Sequence, residues 1–386
     1  MNKLKKMHIL ILSSWYTTKN NHLSSIFFKE QSEALAKQGI NVGCIAINES
    51  SPRYIFSRKE FTFDFYDKNI NGVNTIGILY PIPNRFKKLR MIVRKKVFSI
   101  LFKKYIKKYG KPDLVHLHSF SYGNLAIWIK ENYHIDYVVT EHSSGFVKKL
   151  YSKQELSYAK TVFSNSIYNI CVSDEFKIFL EKKMSIKFNY IPNSIDTDFF
   201  IPKSREKESF SFINIGFLDK KKNQNMLIRA FSKAFSQNKD VTLIIVGRGV
   251  EHNNLENLIK ELNMQKQIKL YGVANRDEVL ELLQNSDAFV LTSAYETFGV
   301  VIIEAMSCGL PVVSTKCGGP ESIIVNDKLG KLVDMNMNAL VLGMLEVYNK
   351  RFDSKYIREY VVDNFSDNEV SSKVIQVYKR YLGDIR

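Results

Sequence analysis

An α/β protein built from two parallel-sheet domains is the fold the sequence predicts, and three observations predict it. Apolar, β-branched runs alternate with helical patterns from one end of the 386 residues to the other. The runs are continuously apolar instead of alternating, which marks strands covered on both faces. One interruption, residues 189–210, replaces periodicity with prolines, asparagine and a charge cluster and divides the series in two.

The first series reads HILILSS, INVGCIAI, TIGILY, DLVHLH, YVVTEH and NICVS, and the second FSFINIG, TLIIVG, IKLYG, AFVLTS and PVVST. The start, MNKLKKMHILILSSWY, imitates a signal peptide, but its apolar part is short, contains His8 and lacks a small-residue cleavage site. It is read as the first buried strand. The interruption places the domains at 1–200 and 201–365. The last segment, FSDNEVSSKVIQVYKRYL, is helical in pattern with Ser366 or Asp367 as its cap. As residues 366–386 it is free to lie over either domain, and the amino-terminal one is the expectation. Each half reads as a Rossmann-type sheet, whose ligands bind beyond the carboxyl ends of the strands. Two such crevices predict one interdomain cleft.

Composition narrows the classes. Hydrophobic residues at 45% and charged residues at 25%, with no low-complexity tract, predict a chain that folds throughout. Cys44, Cys171, Cys308 and Cys317 form no CxxC pair and read as small buried hydrophobes in a reducing compartment, which points to the cytoplasm. No run of about 18 uncharged apolar residues is present, so any membrane contact is expected to be peripheral. The net charge of +17 favours an anionic partner. It concentrates in residues 85–111, with twelve basic residues and no acid, where Phe86, Leu89, Val93, Val97, Ile100 and Leu101 recur at helical spacing. Three readings of this basic amphipathic helix stand: a core-packed helix with a solvated face, a face for anionic lipid headgroups presenting Arg94, Lys95, Lys96, Lys103 and Lys104, or a nucleic-acid surface.

The chemistry collects at strand ends. AFVLTS is a strand, SAYETFG a loop, and GVVIIEAMSCG a helix ended by Gly309 and Pro311. Glu296 falls on the loop and Glu304 on the second turn of the helix. On a continuous helix eight residues would set them about 80° apart; the loop lets both converge on one ligand. The N–H groups of Phe298, Gly299 and Val300 offer an anion site, and Gly299 permits close approach, so a diphosphate fits there. Taken alone, the pair is equally a capping glutamate and an exposed helix glutamate. In FINIGFLDKKKNQNMLIRAF a strand ends at Gly216 and a lysine-rich loop runs to Lys222, a natural phosphate ligand. TLIIVGRGV places Gly247 and Gly249 in a turn after a strand, and TKCGGPESI supplies another glycine pair. Four such features in one domain point to a phosphate-bearing nucleotide.

These residues carry a resemblance. SAYETFGVVIIEAMSCGLPVVSTKCGGPESI resembles the donor-binding core of glycosyltransferase family 4, whose fold is GT-B and whose mark is this E-x7-E spacing. HILILSSWYTTKNNHLSSIFFKEQSEALAKQGINV resembles the family's first strand, acceptor loop and helix, YVVTEHSS its cleft histidine, and YIPNSIDTDFF its interdomain junction. The resemblance implies that Glu304 binds the ribose hydroxyls and Glu296 the hydroxyls of the transferred sugar, a task suited to ionised carboxylates. It implies that His142 faces sugar and acceptor. His116 and His118 share a strand face and lack a third metal ligand, so His116 is assigned to packing and His118 to cleft lining.

The chain departs from the family in three places. Phe217 stands where an arginine is common, which leaves the diphosphate to Lys222 with help from Lys221 or Arg248. Ser25 stands where the acceptor loop usually has glycine, and Ser194 replaces a glycine at the junction. Asp196-Thr197-Asp198 is a DxD, the metal-binding element of the other large glycosyltransferase fold, but it lies in the linker, and no metal or other cofactor is expected.

The expectation is a retaining, metal-independent hexosyltransferase. It takes a nucleoside-diphosphate sugar and a glycan or lipid-linked acceptor, in bacterial surface polysaccharide assembly, in the cytoplasm or peripherally on the membrane's inner face. Its rivals are a basic nucleotide- or RNA-binding protein without catalysis, which no aromatic-interleaved RNA motif supports, and a GT-B epimerase or phosphorylase.

Overall fold

The computed structural model describes residues 6–13, 26–50, 64–82, 87–204 and 209–383. They form two compact units, one of Met1–Val172, Lys177–Ile191 and Val370–Arg386, the other of Ser173–Phe176 and Pro192–Glu369. Residues 192–200, read from the sequence as the end of the first domain, group with the second unit.

In the first unit, strands β1 (His8–Ser13), β2 (Asn41–Ser50), β3 (Asp64–Ile70), β4 (Val73–Pro81), β5 (Leu114–His118), β6 (Tyr137–Glu141), β7 (Tyr168–Cys171) and β8 (Asn189–Tyr190) form one sheet in the order β3-β4-β2-β1-β5-β6-β7-β8. All neighbours are parallel except β3 and β4. This hairpin turns on Asn71 and Gly72, with φ of 49° and 87°, the left-handed pair that a two-residue turn demands. Sequence reading missed β3 because DFYDKNI lacks a continuous apolar run; its mixed exposure and charges suit an edge. In the second unit, β9 (Phe210–Ile215), β10 (Val241–Val246), β11 (Ile268–Gly272), β12 (Ala288–Leu291), β13 (Val312–Thr315) and β14 (Gly330–Val333) form a wholly parallel sheet ordered β11-β10-β9-β12-β13-β14. Only β14, four residues long with a lysine, escaped the pattern reading.

Both sheets reverse strand order beside their first strand, at β1/β5 and at β9/β12. Connections leave these neighbours in opposite directions, which opens a crevice at their carboxyl ends. The second unit's core joins Phe212, Leu243 and Ile245 of the sheet to Phe231 and Phe235 of the helix Gln224–Phe235 and to Leu340 and Met344 of the helix Met337–Asn349. In the first unit Ile9, Ile11, Val42 and Val138 pack against Val370, Val374, Val377 and Tyr378 of the helix Asp367–Leu382, so this terminal segment completes the amino-terminal core. Cys44, Cys171 and Cys308 are buried and Cys317 half-buried.

The basic helix, Lys87–Tyr109, corrects two expectations. Its buried stripe is Phe98, Leu101, Phe102 and Tyr105, while Leu89 and Ile100 are 50% and 60% exposed. Arg94 does not face outward. Its Nε and Nη2 donate to Oε1 and Oε2 of Glu49, both at 2.7 Å, and its guanidinium lies 4.7 Å from the Tyr122 ring centroid. Arg90 joins the same carboxylate at 2.6 Å. Glu49, at the end of β2, is 5% exposed; a buried carboxylate draws the nearest cations inward because leaving it unpaired costs about 3–5 kcal/mol. Lys95, Lys96, Lys103 and Lys104 are exposed.

Candidate functional site

The second unit's switch point holds the densest chemistry. Lys222, at the end of the loop after β9, places its Nζ 2.7 Å from Glu296 Oε1, and Lys221 reaches Oε2 at 3.2 Å. Glu296 lies on the loop after β12, the neighbouring strand. Its side chain is 9% exposed, and those of the lysines 16–17%. Burial alone would raise the Glu296 pKa; the fields of Lys222 and Lys221 outweigh it and hold the carboxyl below its ordinary range. Two lysines thus share one carboxylate at low exposure.

Backbone bonds fix this loop cluster. Ala294 N donates to Lys221 O at 2.7 Å, and the Thr292 hydroxyl donates to Lys222 O at 2.8 Å. On the other side Glu296 N donates to Cys317 O at 2.8 Å, and Gly319 N to Glu296 O at 2.9 Å. Gly319 has no room for more: a Cβ would lie 2.1 Å from Phe298 O. Glu321 sets this third loop by accepting from the N–H groups of Cys317 and Gly318. Behind the lysines, Asn214 Nδ2 donates to Val290 O at 2.8 Å, tying β9 to β12, and Gln224 Nε2 donates to Phe217 O at 3.0 Å.

The sequence-assigned residues of this unit fall around the pair. Gly216 abuts Lys222, since a Cβ there would lie 3.3 Å from Lys222 Cε. Gly247, at φ +145°, backs onto Gly216, with a Cβ position 1.9 Å from Gly216 O. Arg248 is exposed and holds the neighbouring loop through its carbonyl, which accepts from Leu218 N at 3.0 Å. Gly299, left-handed at φ 106°, caps the helix Val300–Ser307. Phe298 is 1% exposed and packs on the Phe365 ring, so its ring is not open to a ligand. Val300 and Glu304 are half-buried on the helix. The DxD is spent locally: Asp196 Oδ1 accepts from the N–H groups of Asp198 and Phe199. Among the described residues, no three of His, Cys, Asp and Glu gather as metal ligands would.

The first unit contributes a histidine row at the ends of β5 and β6. His118 Nδ1 lies 3.2 Å from His142 Nε2, and the His116 and His118 rings stack at 4.3 Å. His116 bonds Tyr378 Oη at 2.6 Å and Thr140 Oγ1 at 2.7 Å, consistent with its assignment to packing. His118 is 1% exposed, so it lies behind the half-buried His142 and does not itself line a surface. Burial, helped by the neighbouring imidazoles, pushes the pKa of His118 well below its ordinary value and that of His116 to about 3, so both are neutral. Ser25 lies outside the described residues. Glu141 was not singled out from the sequence, although an acid inside YVVTEH is the signal for it. Fully buried, it accepts from the N–H groups of Phe120, His142 and Ser143 at 2.7–2.9 Å. Burial outweighs these donors and raises it to about 7.

Comparison with known proteins identifies the fold and the family. The family model Glycosyltransferase Family 4 matches residues 25–199, and Glycosyl transferases group 1 matches residues 195–362. A protein of Thermosipho melanesiensis described as a probable sucrose-phosphate synthase is 27% identical over 89% of each chain. The Escherichia coli UDP-Gal:alpha-D-GlcNAc-diphosphoundecaprenol alpha-1,3-galactosyltransferase is 27% identical over 77% of this chain and 82% of its own. Among solved structures, sucrose-phosphate synthase from Thermosynechococcus elongatus aligns with a TM-score of 0.77 at 22% identity, over 98% of this chain and 99% of the other. Anabaena HepE in complex with UDP and glucose aligns with a TM-score of 0.72 at 16% identity, over 97% and 100%. The likeness in structure establishes the GT-B fold, two α/β domains with parallel sheets, and the paired family models establish the rest: the chain belongs to glycosyltransferase family 4.

Proposed function

We propose that this glycosyltransferase transfers a hexose-type sugar from a nucleoside-diphosphate sugar, with retention of anomeric configuration, to a hydroxyl of a lipid-linked glycan in bacterial surface polysaccharide assembly. The observation that carries the reading is the pair of lysines gathered on Glu296 at the β9/β12 switch point, on the loop that leads into the helix Val300–Ser307. The second unit binds the donor. Lys222 and Lys221 take the diphosphate, the N–H groups of Phe298, Gly299 and Val300 add to its grip, Glu304 holds the ribose hydroxyls, and Glu296 holds the hydroxyls of the sugar. The bond from the anomeric carbon to the diphosphate oxygen breaks, and negative charge grows on the leaving group. The acceptor oxygen bonds to the same face of the carbon, and its proton passes to the departing phosphate. Lysines and helix terminus stabilise that charge without a metal ion. The first unit serves the acceptor, and His142 is the residue assigned to that task.

A second reading, synthesis of a sugar phosphate, is favoured by the similarity to sucrose-phosphate synthase. The exposed cationic and apolar residues of the helix Lys87–Tyr109 favour the lipid-linked acceptor instead.

A panel of uridine, adenosine and guanosine diphosphate sugars tests the reading. A ligand at about 100 times its dissociation constant adds about 2.7 kcal/mol of stability, a clear rise in melting temperature for the correct donor and slow hydrolysis of it alone. If no sugar nucleotide raises the melting temperature, the reading fails; where one does, proton NMR of the transfer product reads the anomeric configuration.

A further inference from the structure

We propose that His118 is a positioning residue for His142: the bond between His118 Nδ1 and His142 Nε2 holds the His142 ring in a single tautomer and orientation. The inference rests on the site role given to His142 above.

Three sets of contacts carry it. The first is the 3.2 Å contact itself, between rings inclined by 25° with centroids 5.4 Å apart, so the two imidazoles meet edge to edge and not face to face. The second is the rigidity of the His118 mount. Its ring stacks on His116, and both His116 nitrogens are engaged, by Tyr378 of the terminal helix and by Thr140 of β6. Phe28 closes the side, with ring centroids 4.8 Å from His118 and 5.0 Å from His142. The third is the backbone of His142, whose N–H donates to its neighbour Glu141 at 2.9 Å. Main chain and ring are thus held independently, which packing alone would not require.

The chemistry follows from neutrality. Neutral His118 has one N–H and one lone pair, so its Nδ1 meets His142 Nε2 only as donor to acceptor or as acceptor to donor, and the hydrogen on one ring sets where the other can carry its own. With Nε2 of His142 the atom paired to His118, its Nδ1 is left to face its own surroundings in the complementary state. A ring that can flip or exchange tautomers would present the right atom only part of the time.

The test uses the full chain labelled with ¹⁵N-histidine. Asparagine carries its amide near the position of Nδ1, whereas glutamine carries it near Nε2, so His118→Asn preserves the bonding atom and His118→Gln removes it. In the wild type and the Asn variant, His142 is expected to show one pyrrole-type and one pyridine-type nitrogen; in the Gln variant the two shifts should move toward an average. Turnover should fall about tenfold in His118→Gln, the worth of one orienting hydrogen bond, with the donor KM unchanged, and return to within about twofold in His118→Asn. A Gln variant that keeps the wild-type shifts and turnover overturns the proposal. Should the Gln variant fail to fold, the Asn variant decides, because loss of the single tautomer there overturns it equally. The NMR result stands whether or not His142→Ala abolishes transfer, so failure of the pairing and failure of the site role remain distinguishable.

Discussion

Lys222 Nζ lies 2.7 Å from Glu296 Oε1, although 74 residues separate them in the chain. The sheet makes them neighbours: β9 and β12 adjoin, and their loops leave the same edge. A charge-assisted bond from Lys222 to a leaving diphosphate is worth about 1.5–3 kcal/mol, against roughly 0.3–1 kcal/mol from an exposed helix terminus. Lysine is the larger of the two. Lys222→Ala should therefore slow transfer by about two orders of magnitude, as loss of an electrostatic stabiliser does. Steady-state rates with the donor found by the thermal panel check it, and near-normal turnover removes Lys222 from the role.

Acid should weaken the same pair. Burial acts to raise the Glu296 pKa, but Lys222 and Lys221 hold it below its ordinary 4.5. As pH falls the unfolded chain takes up the proton first, so the contribution is complete above the ordinary value and is lost as pH drops through the folded one. In urea titrations at stepped pH, Glu296→Gln should flatten the acid side of the stability curve. Glu141 titrates the other way. Raised to about 7 by burial, it takes up a proton on folding and so adds stability as pH falls from about 7 toward 4.5. An acid limb of equal steepness in wild type and Glu296→Gln would refute the assignment.

The sequence made the sheet strands legible where both faces are buried, because burial imposes continuous apolar runs such as HILILS and VTLIIV. It left β3, β8 and β14 unread, since these edge strands need no such run: β3 and β14 carry charged residues and β8 is two residues long. The carboxylates and lysines of the site were legible from their place at strand ends. That Glu296 binds both lysines was not, because a pairing across 74 residues is decided by strand order, which local pattern does not encode. The outward reading of Arg94 failed for a related reason: its partner Glu49 sits 45 residues earlier, on β2.

Glycine at position 247 is demanded twice. Its φ of +145° disfavours any side chain, and a Cβ would lie 1.9 Å from the carbonyl oxygen of Gly216, whose own flank touches Lys222. Gly247→Ala should cost about 2 kcal/mol or more and weaken nucleotide binding by displacing the lysine loop. Gly110→Ala is the control, with a φ of +88° and nothing within 4 Å, and should cost only about 1–2 kcal/mol. Equal melting temperatures for the two variants would contradict the steric argument.

Activity should survive EDTA. The Asp196 carboxylate already accepts two backbone N–H groups, and the charge a metal would supply is available from Lys221 and Lys222. A rate abolished by chelation and restored by a divalent ion would show that the lysines are insufficient.

The helix Lys87–Tyr109 allows charge and apolar contact to be tested separately. Its buried stripe of Phe98, Leu101, Phe102 and Tyr105 anchors it, while Ile92 and Ile100 stand 66% and 60% exposed among Lys95, Lys96, Lys103 and Lys104. Each lysine near an anionic surface contributes about 1 kcal/mol, and that part is screened at about 1 M salt, where the Debye length is near 3 Å. Reversing the four lysine charges should abolish sedimentation with phosphatidylglycerol vesicles at low salt. Ile92→Ser with Ile100→Ser should reduce the binding that persists at high salt, since apolar burial is not screened. Neither set touches the buried stripe, so both variants should melt with the wild type. If the charge-reversed protein sediments undiminished, the cationic face is a solvated surface and the lipid-linked acceptor loses its support from this helix.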